Sequence, residues 1–217
     1  MCPKYKKFAL PNLASLSENV MSLPLPDAAL DQLFRAARSY NGYLDVPVEP
    51  AQLNAIWDLM KMGPTSANML PARLIWCTSD EAKQRLAQFC LTANAEKVLK
   101  APVTVIIGMD FDYHEQLPWL FPHADAKAWF DGNEPLREVS AMRNSSMQGA
   151  YFILAARALG LDTGPMSGFS NEAVDAAFFA ETPRVRSNFI STLGYGDPAS
   201  IFERSPRPDF DAFNRIA

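Results

Sequence analysis

The stretch from Leu136 to Phe169 constrains this 217-residue chain most. It opens with LREVSAMRNSSMQGAYFILAARALG, where Leu136, Val139, Met142, Met147, Ala150, Tyr151, Leu154, Ala158 and Leu159 fall close to helical spacing. Ile153, Ala155 and Ala156 widen the stripe, so the C-terminal half is apolar nearly all round. Such a helix would be roughly 35 Å long, about the width of a small domain. It has to be a spine on which other elements pack. Gly160 stands where it should stop, just past the helix end. The run Leu161 to Phe169 (LDTGPMSGF) then reads as a glycine-rich loop whose backbone N–H groups can approach a ligand. Its GxxxGxxxG spacing matches neither the dinucleotide fingerprint nor the nucleophile elbow. Alone, it is better explained as a helix-to-strand turn.

A chain that is 48% apolar and 20% charged suits one globular domain with a real core. Net charge is −4, and the only basic cluster is Lys4, Lys6 and Lys7, so nucleic acid is not an expected partner. Cys2, Cys77 and Cys90 form no CxxC pair, and with only two histidines a structural zinc site is not expected. This cysteine usage fits a reducing cytoplasm. Residues 1–20 resemble a signal peptide only at first, because Pro11, Asn12 and Ser15 break the apolar run. They are taken as a poorly ordered arm, with Met21 as an alternative start and 21–217 as the single domain. No segment reaches the length of a membrane span.

In chain order, a helix is expected from Pro26, with Leu30, Leu33, Phe34 and Ala37 on one face, ending near Arg38-Ser39-Tyr40-Asn41-Gly42. Arg38 beside small polar residues could hold a phosphate or simply complement the helix dipole. Pro50 begins a second helix with Leu53, Ile56, Trp57 and Met60 as its stripe. After Gly63-Pro64 comes Thr65-Ser66-Ala67-Asn68, an ordinary polar loop or a set of groups for a heteroaromatic ring edge. A strand is expected at 73–77. Thr78 and Glu81 form a capping box for a helix reaching Phe89. Pro102 to Met109 is the best central strand. Residues 111–135, rich in aromatics and proline, read as a lid of short helices or a separate packing cluster. A short helix over 172–179 and a strand over 188–195 follow. The tail, with Arg204, Arg207 and three prolines, has too few apolar residues for a core and should wrap another surface.

Taken in order, Arg38-Ser39, Gly63-Pro64-Thr65-Ser66-Ala67-Asn68 then Pro71, the long helix, Gly164-Pro165-Met166-Ser167-Gly168-Phe169, Leu193-Gly194-Tyr195-Gly196 and the Arg-Pro tail resemble the FMN-dependent nitroreductase family. The resemblance covers about 27–213. The strings GPTSAN, LFPHADA, RNSSMQ, ALGLDTGPMSGF and GYGD are most similar to the malonic semialdehyde reductase branch associated with pyrimidine degradation. The family implies an α+β fold, with a mixed, mostly antiparallel sheet flanked by helices. It also implies an intertwined homodimer with FMN at two interface sites and the tail of each subunit over the other. A second apolar face on the spine helix would then meet its twin.

The resemblance assigns roles by position. Arg38 and Ser39 would contact phosphate and ribityl, completed by Arg204 or Arg207, while Asn41 or Gly42 stands where the family often has another basic residue. Pro64, Thr65, Ser66 and Asn68 would reach the flavin, some from the opposite subunit. Pro165, Met166, Ser167 and Gly168 would present backbone to the ring, the Ser167 N–H near N5 and the Gly168 N–H near O4. Ser167 replaces a frequent acidic residue, which leaves a backbone role intact. The implied reaction is ping-pong hydride transfer from NADPH or NADH through FMN to an acceptor, with no side-chain nucleophile. The acceptor would be malonic semialdehyde, reduced to 3-hydroxypropanoate. Broad nitroaromatic or quinone reduction, and flavin binding with little turnover, are the alternatives. His123 is placed in the substrate pocket, with Lys127 and Arg143 as further candidates. For Arg143, a buried ion pair with Glu138 or Asp162 is the competing expectation.

Overall fold

The computed structural model of the protein describes residues 23–217. The expected arm over 1–20 lies outside them.

Four strands form one sheet in the order β1-β2-β4-β3: β1 (Ala72–Cys77), β2 (Val103–Asp110), β3 (Asp162–Met166) and β4 (Val185–Gly194). All three pairings are antiparallel. The expected mixed sheet is therefore narrower than that, its parallel element being an isolated bridge from Ser39 to Thr163 at the β3 edge. β2 is central and buried along nearly its whole length, as its unbroken apolar run requires when both sheet faces are covered.

Helices cover both faces. On one, α2 (Pro50–Met60) and the spine helix α6 (Glu134–Ala158) bury Ile56, Met60 and Phe152 against Val105, Ile107 and Leu193. On the other, α3 (Asp80–Ala87), α4 (Thr92–Lys100) and α7 (Asn171–Phe178) bury Leu86, Val98 and Val174 against Ile106 and Ile190. Residues 111–133 hold short turns around α5 (Leu117–Leu120) and a third cluster of Tyr113, Leu117, Phe130 and Met69. That stretch is thus both an excursion of short helices and a packing unit. Among the described residues, no helix is long and apolar enough to cross a membrane.

Several expectations are corrected. The cap of α3 is Ser79, whose hydroxyl accepts from the Ala82 N–H, and not Thr78. The helix α4 was not foreseen. The helix from Pro26 is only α1 (Asp27–Leu30) followed by a π-helical turn at Asp31–Arg35, and Phe34 on its expected inner face is exposed. The run after Gly160 begins not as a loop but as the edge strand β3.

The largest correction concerns α6. Its boundaries and stop are as read, and Gly160 has the left-handed φ of +78° expected past a helix end. Its C-terminal half buries Ala155 and Ala156 with Phe152, but in the N-terminal half the expected stripe faces outward. Leu136, Val139, Met142 and Met147 are exposed, whereas Ser140, Ala141, Asn144, Ser145, Gln148 and Gly149 face inward. Close packing explains the small inner residues: a Cβ on Gly149 would stand 2.4 Å from the Phe189 ring.

Candidate functional site

Sequence-distant arginines converge at the outer edge of β3. The main chain of Ser39 bridges to Thr163, and the Tyr40 N–H donates to the Thr163 carbonyl at 3.1 Å. This docks Ser39 and Tyr40 on β3. The tail returns to the same place. Arg38 donates to the Phe202 carbonyl, Arg204 to the Ala37 carbonyl at 2.9 Å, and Asn41 to the Ser200 carbonyl at 2.9 Å. Between them is a cavity of about 400 Å³ lined by Arg38, Ser39, Arg157, Glu203, Arg204 and Arg207 among others.

Four guanidinium groups thus share one cavity, and their hydrogen-bond acceptors are backbone carbonyls. Arg157 donates to Leu33 at 2.9 Å, and Arg207 to Ser205 and Pro206 at 3.1 Å each. Elsewhere Arg35, Arg73, Arg137, Arg184 and Arg186 each lie within 4.0 Å of a carboxylate. Among the described residues no such carboxylate meets the four cavity arginines. Burial lowers the pKa of Arg157, partly offset by Asp162, and the like charge of Arg204 adds to the lowering. Its Nε is buried without a hydrogen-bond partner. Guanidinium groups that share a cavity without an ion-paired carboxylate suit an anion with several oxygens. Arg157 was not found from the sequence, since its one signal is a lone arginine in an apolar helix end.

β3 leads from this cradle to Pro165, Met166, Ser167 and Gly168. Among the described residues the amides of Ser167 and Gly168 have no acceptor. The Gly168 carbonyl is held by the Leu91 N–H at 2.9 Å and the Asn94 side-chain amide at 3.1 Å, which fixes this peptide. A Cβ on Gly168 would meet the Asn94 amide nitrogen at 2.6 Å. Asn41 braces the tail, and it is the amide of Asn94, unassigned from sequence, that braces Gly168.

Pro64, Thr65, Ser66 and Asn68 lie elsewhere. The Ser66 N–H donates to Asn144 Oδ1 at 2.9 Å, Asn68 to the Leu120 carbonyl at 2.8 Å, and Tyr151 to the Pro64 carbonyl at 2.8 Å. This loop belongs to α6 and the excursion, whereas residues 38–41 belong to β3 and the tail. The expected ligands therefore form two groups within one chain.

His123 is exposed, its ring edge-on to Phe121 at 5.4 Å. Lys127 is engaged by Glu115 at 2.7 Å. Arg143 is exposed, which overturns the expected buried ion pair, and it lines a cavity of about 510 Å³ with Phe111, Glu138, Val139 and Met142. A cluster of His114, Glu115 and Asp131 has the ligand types for a metal, but Arg137 already donates to His114 Nε2 at 2.9 Å. With Lys127 on Glu115, it is a closed ion-pair network.

Known proteins share this sequence pattern and this fold. A protein of Burkholderia lata, provisionally named NADH dehydrogenase/NAD(P)H nitroreductase, is 60% identical over 192 residues, spanning 88% of this chain and 98% of that one. One of Stenotrophomonas maltophilia with the same provisional name is 59% identical over 197 residues, 91% of this chain and all of the relative. Among solved structures, a provisionally assigned nitroreductase of Exiguobacterium sibiricum in complex with FMN has the same fold. It superposes with a TM-score of 0.77 at 19% identity, covering 90% of this chain and all of that one. The sequence profile described as "Nitroreductase family" matches residues 24–195, from before the cradle arginines to the end of β4. This chain belongs to the nitroreductase family.

Proposed function

We infer that the protein is an FMN-dependent NAD(P)H oxidoreductase that acts as a homodimer. The observation that carries this reading is the cradle of four arginines, none ion-paired among the described residues, joined by β3 to the two open amides at Ser167 and Gly168. A phosphate at one end and a polar ring edge at the other suit that arrangement. The buried, unpartnered Arg157 Nε fits the cofactor's phosphate. Arg38, Ser39, Arg157, Arg204 and Arg207 would hold its phosphate. Pro165 and Met166 carry the chain to the Ser167 and Gly168 amides, which would orient its ring. Pro64, Thr65, Ser66 and Asn68 would serve the cofactor of the partner copy, which accounts for their separation from the cradle. When bound, FMN supplies hydride transfer from NADPH or NADH to an acceptor. The names of the relatives support the same activity.

For the acceptor we infer malonic semialdehyde, giving 3-hydroxypropanoate as in pyrimidine degradation. Support comes from Arg143, an exposed cation that shares its cavity with Glu138 and the apolar Phe111, Val139 and Met142, so that the substrate would sit where the second copy meets this face. Such a site suits a small carboxylate. A second reading, reduction of nitroaromatics or quinones, is favoured by Trp119 and Trp129, which are 76% and 54% exposed on the excursion and offer flat stacking surfaces. The deciding measurement is kcat/KM for malonic semialdehyde and for a nitroaromatic, in wild type, Arg143→Ala and His123→Ala. Selective loss of aldehyde turnover in either variant supports the first reading. Negligible wild-type aldehyde turnover supports the second. Absence of anaerobic flavin reduction by NADPH and by NADH would leave a binding module.

A further inference from the structure

The turn between Pro64 and Ala72 has an unusual backbone. Ala67, Asn68 and Leu70 have φ of 47°, 50° and 39°. All three carry a Cβ, which makes the left-handed region unfavourable, more so for Ala and Leu than for Asn. Such a conformation persists only where its surroundings over-determine it. Inside the turn, the Leu70 N–H donates to Thr65 Oγ1 at 3.2 Å. The Asn68 N–H also donates to the Thr65 carbonyl and the Met69 N–H to the Ser66 carbonyl, both at 3.0 Å, while Arg73 holds the Leu70 carbonyl at 3.0 Å and Asn68 reaches the Leu120 carbonyl at 2.8 Å. Three further bonds come from α6.

Asn144, Gln148 and Tyr151 are spaced i, i+4 and i+7, on one helix face. Asn144 Oδ1 accepts from the Ser66 N–H at 2.9 Å, and Gln148 Oε1 from the Ala72 N–H at 2.8 Å. The Tyr151 hydroxyl donates to the Pro64 carbonyl at 2.8 Å. Asn144 also donates to the Ser140 carbonyl at 2.9 Å, which orients its oxygen toward the turn. The two amides are 2% and 0% exposed, and Gln148 Nε2 has no partner. Burying an unmet donor is costly, and an apolar side chain would avoid it. What Gln148 contributes is its acceptor, at the end of the strained turn.

We propose that Asn144 and Gln148 are positioning residues that hold the Thr65–Leu70 turn in its left-handed form. They present Thr65, Ser66 and Asn68 to the flavin in a preset geometry. The role rests on the flavin reading above. It lowers the ordering cost of binding without contact between these amides and the cofactor.

The test uses the full chain with FMN and two readouts: FMN affinity by fluorescence titration, and amide hydrogen exchange over residues 64–72. Asn144→Leu and Gln148→Met keep side-chain size and remove the acceptors. Each should weaken FMN binding about tenfold, the loss expected for one buried hydrogen bond, and speed exchange in the turn. Ala67→Gly in the Asn144→Leu background should restore much of the affinity, because glycine adopts the left-handed form unaided. Tyr151→Phe, a milder change, should shift both readouts in the same direction should the larger substitutions fail to fold. Folded variants with wild-type affinity and exchange would overturn the proposal. Faster exchange without loss of affinity, or no glycine rescue, would reduce the amides to structural support and overturn the positioning role. Wild-type protein that binds no FMN, with exchange still faster in the variants, would instead locate the failure in the flavin reading.

Discussion

Arg157 shows what a single residue adds. It sits in the last turn of α6, where a cation suits the helix dipole, yet its guanidinium reaches into the anion cradle. Arg157→Met should weaken FMN binding by about 1.5–3 kcal/mol, the range for a hydrogen bond to a charged group. Riboflavin, which lacks the phosphate, should lose far less. Equal losses for the two ligands in parallel titrations would remove Arg157 from the phosphate site. Asp162 is its counterpart. Burial raises its pKa, opposed by the Gly196 N–H at 3.1 Å and by Arg157. A carboxyl whose folded pKa is raised takes up a proton on folding. Its contribution is full below the ordinary carboxylate range and is lost as pH rises through the folded value. Asp162→Asn keeps an oxygen for Gly196 and removes the titration, so its stability relative to wild type should climb from acid to neutral pH in urea unfolding. That Arg38, Ser39, Arg204 and Arg207 come together in one cavity was legible because they stand beside recognisable motifs. Arg157 and Asn94 were not, because each works through residues far away in sequence.

At the level of elements, the strands β2 and β4 and the helix α2 were legible because apolar runs and a first-turn proline act locally. The sense of α6 was not. Periodicity locates a stripe but does not say what the stripe faces, and here the inner side is set by how closely the helix approaches the sheet. Gly149→Ala tests this directly. In an isolated helix the change would gain about 0.5–1 kcal/mol. Here the new Cβ would press on the Phe189 ring, with an overpacking cost of about 1–3 kcal/mol. A net fall in the urea midpoint is expected, whereas a rise would mean that the interface yields. The strand β3 stayed hidden for a related reason: its glycine and proline resemble loop composition, and only pairing with β4 along an edge makes it a strand. The helix α4 was missed because Val98 is its one fully buried apolar side chain.

For the whole molecule, the outward Leu136, Val139, Met142 and Met147 and the exposed Phe202, Phe210 and Phe213 of the tail are surfaces a second copy would cover. The expected assembly is a homodimer burying more than about 2,000 Å². Met142→Lys should shift sedimentation toward monomer and release FMN with it, because the two ligand groups then part. A folded, flavin-loaded monomer at micromolar concentration would contradict this arrangement. The cradle itself joins Arg38, Arg157 and Arg207, residues near both ends and the middle of the described chain. On the phosphate reading, no length made during synthesis short of Arg207 would contain every cradle arginine, so the chain would load its cofactor only once translation has passed that residue. Loading would then report that these distant parts of the polypeptide have been brought together.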